Sequence, residues 1–229
     1  MGHLPKTSSA DPCDGLKVAY DSIIFDLDGT LWDSTQLCAD AWNETLAFLK
    51  LKSKNFVAKD IEQIMGLPDD EVFKKLFPEH DGETREKIAN DFYVREISRL
   101  KNREAVLYPG VIDGIKKLQN SYPLFIVSNC MTDYLEAFFF VTGAQSLFKD
   151  AECFGHQRWL KAENIKLICE RNQLKAPVYI GDTLGDESSA KSAGVDFFHV
   201  TYGFGRALSP LKSFESFSQL TDYFDTIGK

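Results

Sequence analysis

Asp26 and Asp28 stand two residues apart, after the apolar run Ser22-Ile23-Ile24-Phe25 and before Gly29-Thr30. Like charges this close repel unless a cation or a shared proton holds them. Side chains alternate along an extended segment, so both carboxylates start on one side of the backbone. Gly29 permits a turn that carries backbone amides toward a ligand. Paired acids beside exposed amides suit a divalent cation and a phosphate. On its own, the same run also reads as a strand followed by a solvated acidic turn.

Two more apolar segments end in polar chemistry. Leu124-Phe125-Ile126-Val127 runs into Ser128-Asn129, and Val178-Tyr179-Ile180 runs into Gly181-Asp182, with Asp186 close behind. Phosphoryl transfer needs an in-line nucleophile, neutralised phosphoryl oxygens and a proton for the leaving oxygen. A carboxylate can be that nucleophile, forming an aspartyl phosphate that water hydrolyses. Magnesium takes oxygen ligands and keeps several waters. Asp26 and Asp182 can supply carboxylate ligands and the Asp28 carbonyl a third. The Ser128 hydroxyl, the Asn129 amide and Lys161, which opens a helix, can hold phosphoryl oxygens.

Positioning these groups requires strands that end at one edge. Ser22–Phe25 is expected as a buried strand, followed by a helix from the Asp33-Ser34 caps to about Lys50. From there to about Leu107 the pattern is helical, with no strand signal. Ile61, Ile64 and Met65 mark one short helix. Val72, Phe73, Leu76 and Phe77 mark a second, and Ile88, Phe92, Val94, Ile97 and Leu100 a longer third. Beyond Tyr108-Pro109-Gly110, helices at about 111–120, 132–141, 161–172, 186–193 and 218–227 alternate with strands at 124–127, 151–154, 178–180 and 196–200. Such alternation implies an α/β, mostly parallel sheet with helices on both faces. Ligands in these sheets bind outside the carboxyl ends of the strands, so the polar strand ends converge on one edge. The helical stretch 33–107 is inserted between the first two of them.

The 229 residues suffice for one large domain, or a core plus an inserted subdomain. A net charge of −8 argues against a nucleic-acid partner. It is compatible with a small phosphorylated metabolite, because a bound metal can dominate the local field. Cys13, Cys38, Cys130, Cys153 and Cys169 are scattered and odd in number, without a C-x-x-C pair. Neither a disulfide framework nor a structural zinc is expected, and a cytoplasmic location fits best. No run of about 18 apolar residues suggests a membrane partner. Residues 1–17 are polar, lack a signal-peptide segment and are read as a mobile tail. A monomer is expected, with a weak dimer as the alternative.

With these residues in order, the sequence resembles the haloacid dehalogenase (HAD) superfamily. Within it, the match is to the phosphoglycolate phosphatase-like group with a helical C1-type cap. The resemblance covers roughly residues 20–205. It rests on Asp26-Leu27-Asp28-Gly29-Thr30-Leu31, Ser128-Asn129, Lys161 and Gly181-Asp182-Thr183-Leu184-Gly185-Asp186. It implies a Rossmann-like, doubly wound core over 18–32 and 108–229 and an all-helical cap over 33–107. It implies a Mg2+-dependent phosphatase acting on a small phosphomonoester. Asp26 would be nucleophile and metal ligand, and Asp28 the acid and then the base. Thr30 would steady the loop within the phosphate-binding set. Ser128, Asn129 and Lys161 would bind and neutralise the phosphoryl group, Asp182 would bind metal, and Asp186 would support Lys161 or a metal-bound water.

Asp28 discriminates within the superfamily. Dehalogenases lack an acid there and P-type ATPases carry Thr. Lys50, Lys52 and Lys54 read as a solvated turn rather than a source of the Schiff-base lysine of phosphonate-cleaving relatives. A sugar phosphomutase of the beta-phosphoglucomutase type and a non-catalytic phospho-ligand sensor remain as alternatives. Gly66-Leu67-Pro68 resembles a substrate-facing cap loop, followed by Asp69-Asp70 where a basic residue would meet a second anion. Trp32, Trp42, His199 and Phe138-Phe139-Phe140 are expected in packing, the phenylalanine cluster with room for an exposed edge, and His156 in a loop. Tyr202–Arg206 is expected near the active edge, with Arg206 a candidate for substrate.

Overall fold

The computed structural model describes residues 20–51 and 55–227, apart from the side chains of Asp69 and Asp70. The expectations for residues 1–17, Lys52, Lys54 and the carboxylates of Asp69 and Asp70 fall outside that description.

β1 (Ser22–Phe25) leads through a tight turn to β2 (Trp32–Asp33). The helices α1 (Thr35–Phe48), α2 (Ala58–Glu62), α3 (Asp69–Leu76) and α4 (Gly82–Lys101) follow, and β3 (Val106–Leu107) returns the chain. Then come α5 (Val111–Leu118), β4 (Leu124–Ser128), α6 (Thr132–Thr142), β5 (Asp150–Cys153), α7 (Phe154–Gln157) and α8 (Lys161–Asn172). β6 (Pro177–Gly181), α9 (Leu184–Ala193), β7 (Asp196–Val200), β8 (Lys212–Phe214) and α10 (Phe217–Ile227) complete the order.

Six strands form one parallel sheet in the order β5-β4-β1-β6-β7-β8. The chain builds leftward from β1 through β4 and β5, then crosses back to lay β6 on the other side of β1. That reversal opens a crevice at the carboxyl ends of β1 and β6, where Asp26 and Asp182 follow their strands.

Strand alternation splits the apolar residues between two layers. Ile23, Phe25 and Ile126 face α5, α10 and the larger core, whereas Ile24, Phe125, Val127 and Tyr179 face α8 and α9 with Ile165, Ile168 and Ala190. All four residues of β1 are buried, as a central parallel strand covered on both faces requires.

The inserted helices pack around Trp42, whose ring stacks on Phe92 at 3.9 Å and touches Phe56, Phe73 and Phe77. Asp33, rather than Ser34, satisfies the first turn of α1: its Oδ1 accepts from the Thr35 amide at 2.8 Å.

Several expectations need correction. The stretch 33–107 is not wholly without strand, because its ends pair: Trp32 lies opposite Leu107 and Asp33 opposite Val106 in antiparallel register. Two-residue strands carry no periodicity, so only tertiary closure reveals them. The three-residue β8 is likewise too short to show a period. Val94 marks α4 without facing the core, and Phe140 forms the exposed edge of its cluster, each being 72% exposed. His156 lies in the short helix α7 and pairs with Glu152. Among the described residues, no helix is long and apolar enough to cross a membrane, and Cys38, Cys130, Cys153 and Cys169 are free.

Candidate active site

Three strand ends and one helix start meet at the crevice. The Asp26 amide continues the sheet by donating to the Ile180 carbonyl at 2.8 Å, which fixes the carboxylate beside β6. Lys161 begins α8, and the Glu163 carboxylate caps that start by accepting from the Leu160 amide at 2.9 Å. The lysine is thereby delivered in a buried position. Its ammonium lies 2.6 Å from Asp186 Oδ1 and 2.9 Å from Asp26 Oδ1. The contact to Asp26 is an ion pair without the angular geometry of a hydrogen bond. Burial opposes the charge on Lys161, but Asp186 and Asp26 outweigh it and raise the ammonium's pKa.

Asp186 is fully buried and saturated. Its Oδ2 accepts from the Asp182 amide, the Thr183 amide and the Thr183 hydroxyl at 3.2, 2.9 and 2.7 Å. The Thr183 hydroxyl in turn accepts from the Asp186 amide at 3.1 Å, closing a capping box on α9. Gly181 leaves room for this carboxylate, since a Cβ there would lie 2.6 Å from it.

Asp182 turns the other way. Its Oδ2 accepts from the amides of Phe204 and Gly205 at 2.7 and 3.2 Å. His199 Nε2 lies 3.0 Å from its carbonyl oxygen. Asp182 Oδ1 is buried with no hydrogen-bond partner among the described residues. Burial and Asp186 push the Asp182 carboxyl up to about 7. Burial, Asp186 and Asp182 likewise raise Asp26 well above the usual carboxylate range, against the pull of Lys161. A buried acid without a partner, next to another of high proton affinity, marks a place that a cation would neutralise. Asp26, Asp182 and Asp186 each offer an oxygen within 4.8 Å of the others. This all-oxygen donor set fits a hard divalent ion. Because Asp186 is already committed to Lys161 and Thr183, Asp26 and Asp182 are the better-placed carboxylates.

Asp28 occupies a separate environment. Its Oδ1 accepts from Trp32 Nε1 at 3.0 Å, Ser34 Oγ at 2.8 Å and Tyr134 Oη at 2.5 Å. Burial raises its carboxyl, and the three donors oppose that rise. Gly29 follows at φ +78°, and a Cβ at that position would lie 2.3 Å from Asp182 Oδ2. Only glycine serves here, for conformation and for space. Thr30 is fully buried, and its carbonyl accepts from Tyr202 Oη at 2.8 Å.

A cavity of about 100 Å3 opens over this edge. Asp26, Asp28, Ser128 and Asn129 line its floor, and residues of α1 to α4 line its roof. Lys161, Asp182, Asp186 and Thr30 do not line it. Asn129 Nδ2 donates to the Gly66 carbonyl at 2.8 Å, bridging the floor to the Gly66-Leu67-Pro68 loop. Arg206 is exposed.

Sequence reasoning missed the partners of the acids. Trp32 both packs, edge-on against Tyr134 and Phe138, and donates to Asp28. Tyr134 had a weak signal, as a buried helical tyrosine needs a hydroxyl partner. His199 is a core residue as expected, and it also touches the Asp182 backbone.

The haloacid dehalogenase-like hydrolase family matches residues 23–200, and the chain belongs to it. The phosphoglycolate phosphatase of Psychrobacter arcticus is 26% identical over 219 residues, covering 88% of this chain and 94% of that protein. The pyrophosphatase PpaX of Listeria innocua is 31% identical over 130 residues, covering 56% of this chain and 57% of that protein. A haloacid dehalogenase-like family hydrolase from Streptococcus pneumoniae superposes with a TM-score of 0.79 at 25% identity, over 90% of this chain and 99% of that one. CbbY from Rhodobacter sphaeroides, solved in complex with phosphate, shares the fold at a TM-score of 0.74 and 18% identity, over 88% and 96%.

Proposed function

We propose that this hydrolase is a Mg2+-dependent phosphatase that cleaves a small phosphomonoester through an aspartyl phosphate on Asp26. One observation carries the reading. Two carboxylates two residues apart sit in different environments, Asp26 against Lys161 and Asp28 beneath three neutral donors. Separate environments allow a nucleophile and a proton carrier to coexist.

Asp26 and Asp182, with the Asp28 carbonyl, would hold the ion. A bound Mg2+ supplies charge neutralisation for the phosphoryl oxygens and for Asp26. Ser128 Oγ, the Asn129 amide and Lys161 hold the same oxygens. An Asp26 carboxylate oxygen attacks phosphorus in line, the bond to the leaving oxygen breaks, and Asp28 gives that oxygen its proton. Asp28, now ionised, takes a proton from water as the water attacks the phosphorus, freeing phosphate and restoring Asp26. Thr30 steadies the turn, while Asp186 keeps Lys161 charged and in place. Residues 33–107 act as a cap over the core of 18–32 and 108–229, excluding bulk water during transfer. A cytoplasmic setting fits the scattered, odd-numbered cysteines of the sequence.

The test is phosphate release from a panel of phosphomonoesters and p-nitrophenyl phosphate, with and without Mg2+, alongside Asp26→Asn. Mg2+-dependent release that Asp26→Asn abolishes is expected. Slow release that a bisphosphate activator converts to isomerisation would instead indicate a sugar phosphomutase. Phosphate and metal binding without turnover would indicate a sensor.

A further inference from the structure

A pair of sulfur nucleophiles lies beside the cavity and has no part in the transfer chemistry. Cys130 follows Asn129 directly, is half-buried and lines the cavity wall. Cys153 ends β5 and is fully buried. Parallel pairing puts Cys153 opposite Ser128. The contact continues past the strands, where the Gly155 amide donates to the Cys130 carbonyl at 3.1 Å. The two cysteines therefore stand on adjacent segments, and their thiols are hydrogen-bonded to each other. Donation by Cys130, against the effect of burial, lowers the Cys153 thiol to about 7, and His156 with the amides of His156 and Gly155 adds to the fall. Burial, and then Cys153, push the Cys130 thiol up. Near neutral pH the pair thus shares one thiol proton between two sulfurs, and thiolate character is what makes cysteine reactive.

We propose that Cys130 and Cys153 form an oxidisable pair, which a peroxide entering the cavity converts to a disulfide that disables the Ser128–Asn129 phosphate cradle. The effect on phosphate rests on the phosphatase reading of Ser128 and Asn129; the disulfide itself does not. The peroxide meets Cys130 first, because Cys153 has no exposed surface. As the Cys130 proton passes along the hydrogen bond to Cys153, the Cys130 sulfur takes the distal peroxide oxygen. The O–O bond breaks, Cys130 becomes a sulfenic acid, and the departing oxygen takes a proton from solvent. The Cys153 sulfur then attacks the Cys130 sulfur. The S–O bond breaks, and hydroxide leaves with the Cys153 proton as water. The two sulfurs have been oxidised by two electrons in all, and the peroxide reduced by as many. The cradle feels this through its own backbone. The Cys130 amide donates to Ser128 Oγ at 3.3 Å, and Asn129 between them donates to the Gly66 carbonyl. A covalent tie at Cys130 draws the turn toward β5 and displaces both groups that hold phosphoryl oxygens. A reversible bond of this kind suits a reducing compartment, where lasting disulfides are rare.

Hydrogen peroxide treatment of the full chain, then alkylation and non-reducing peptide mapping by mass spectrometry, tests the pair without reference to activity. The expected product is a cross-link between Cys130 and Cys153, reversed by dithiothreitol. No cross-link, or one that joins other cysteines, Cys13 included, would overturn the proposal. Affinity for inorganic phosphate, read by calorimetry on the Mg2+-loaded protein, should fall about tenfold or more on oxidation and return on reduction. A mapped Cys130–Cys153 disulfide that leaves this affinity unchanged would equally sink it. Cys130→Ser should keep its phosphate affinity through the same treatment, and a loss in that variant would place the cause elsewhere. Phosphate release from p-nitrophenyl phosphate in parallel separates the two readings. A mapped disulfide that weakens phosphate binding, in a protein that never releases phosphate from an ester, would uphold the pair and remove the phosphatase reading. Release that persists under peroxide with both thiols intact would do the reverse.

Discussion

The Tyr134 hydroxyl donates to Asp28 Oδ1 at 2.5 Å, joining residues 106 positions apart in sequence. Ser34 Oγ lies 2.8 Å from the same hydroxyl. Asp28 is thus set by α6 and by the entry to α1, not by its own turn alone. Each donor favours the ionised carboxylate, whereas burial favours the protonated one.

Removing one donor therefore raises the pKa of Asp28. If Asp28 must carry a proton during transfer, the alkaline limb of the activity profile in Tyr134→Phe moves to higher pH. Steady-state kcat and kcat/KM measured across pH check this. An unmoved limb, or one displaced downward, would contradict the assignment of Asp28 as acid.

Asp28→Asn removes both the acid and the later base. With an alkyl phosphate, kcat should fall by about 10^2- to 10^4-fold. p-Nitrophenolate leaves without protonation, so that substrate should give a burst of one equivalent followed by slow turnover. Stopped-flow absorbance measures the burst, and its absence would argue against Asp28 as the base of the second step.

Gly29→Ala places a methyl group against the Asp182 carboxylate at a φ of +78°. The backbone cost alone is about 1–2 kcal/mol, and Asp182 must also shift. We expect a lower Tm together with weakened Mg2+ binding, read by thermal unfolding with and without the ion. A normal Mg2+ response in this variant would show that Asp182 tolerates displacement.

Asp182 links stability to pH. Folded and metal-free, it keeps its proton up to about pH 7, against about 3.9 when unfolded. Between those values the folded chain binds more protons than the unfolded one, so this group's contribution to stability falls as pH rises. A metal binds the deprotonated form. The gain in Tm on adding Mg2+ should therefore be larger at pH 8 than at pH 5. Equal gains at both values would remove Asp182 from the metal site.

Much of the edge is legible in the chain because apolar runs end where the chemistry begins. Lys161–Asn172 and Asp196–Val200 were marked with their observed limits, and Ser128 and Asp182 fall at strand ends as read. Each signal is local: a period, a cap or a polar residue after an apolar run. What escaped is non-local. Whether Trp32 or Tyr134 reaches Asp28 depends on helix rotation against the sheet, and no spacing encodes that. His199 reads as an interior residue from sequence, while the carbonyl it touches, that of Asp182, lies just past the end of the neighbouring strand. The Tyr202–Arg206 loop was placed near the edge, yet its amides, rather than Arg206, meet Asp182.

The pairing of Trp32 with Leu107 and of Asp33 with Val106 sets departure and return of the inserted helices side by side, about 5 Å apart as neighbouring strands are. A segment spliced in through such a doorway makes little demand on its host, because any replacement with ends at that spacing leaves the sheet register intact. The scaffold can thus change its clientele by exchanging one contiguous piece of chain, while the machinery beneath keeps every bond that aligns it.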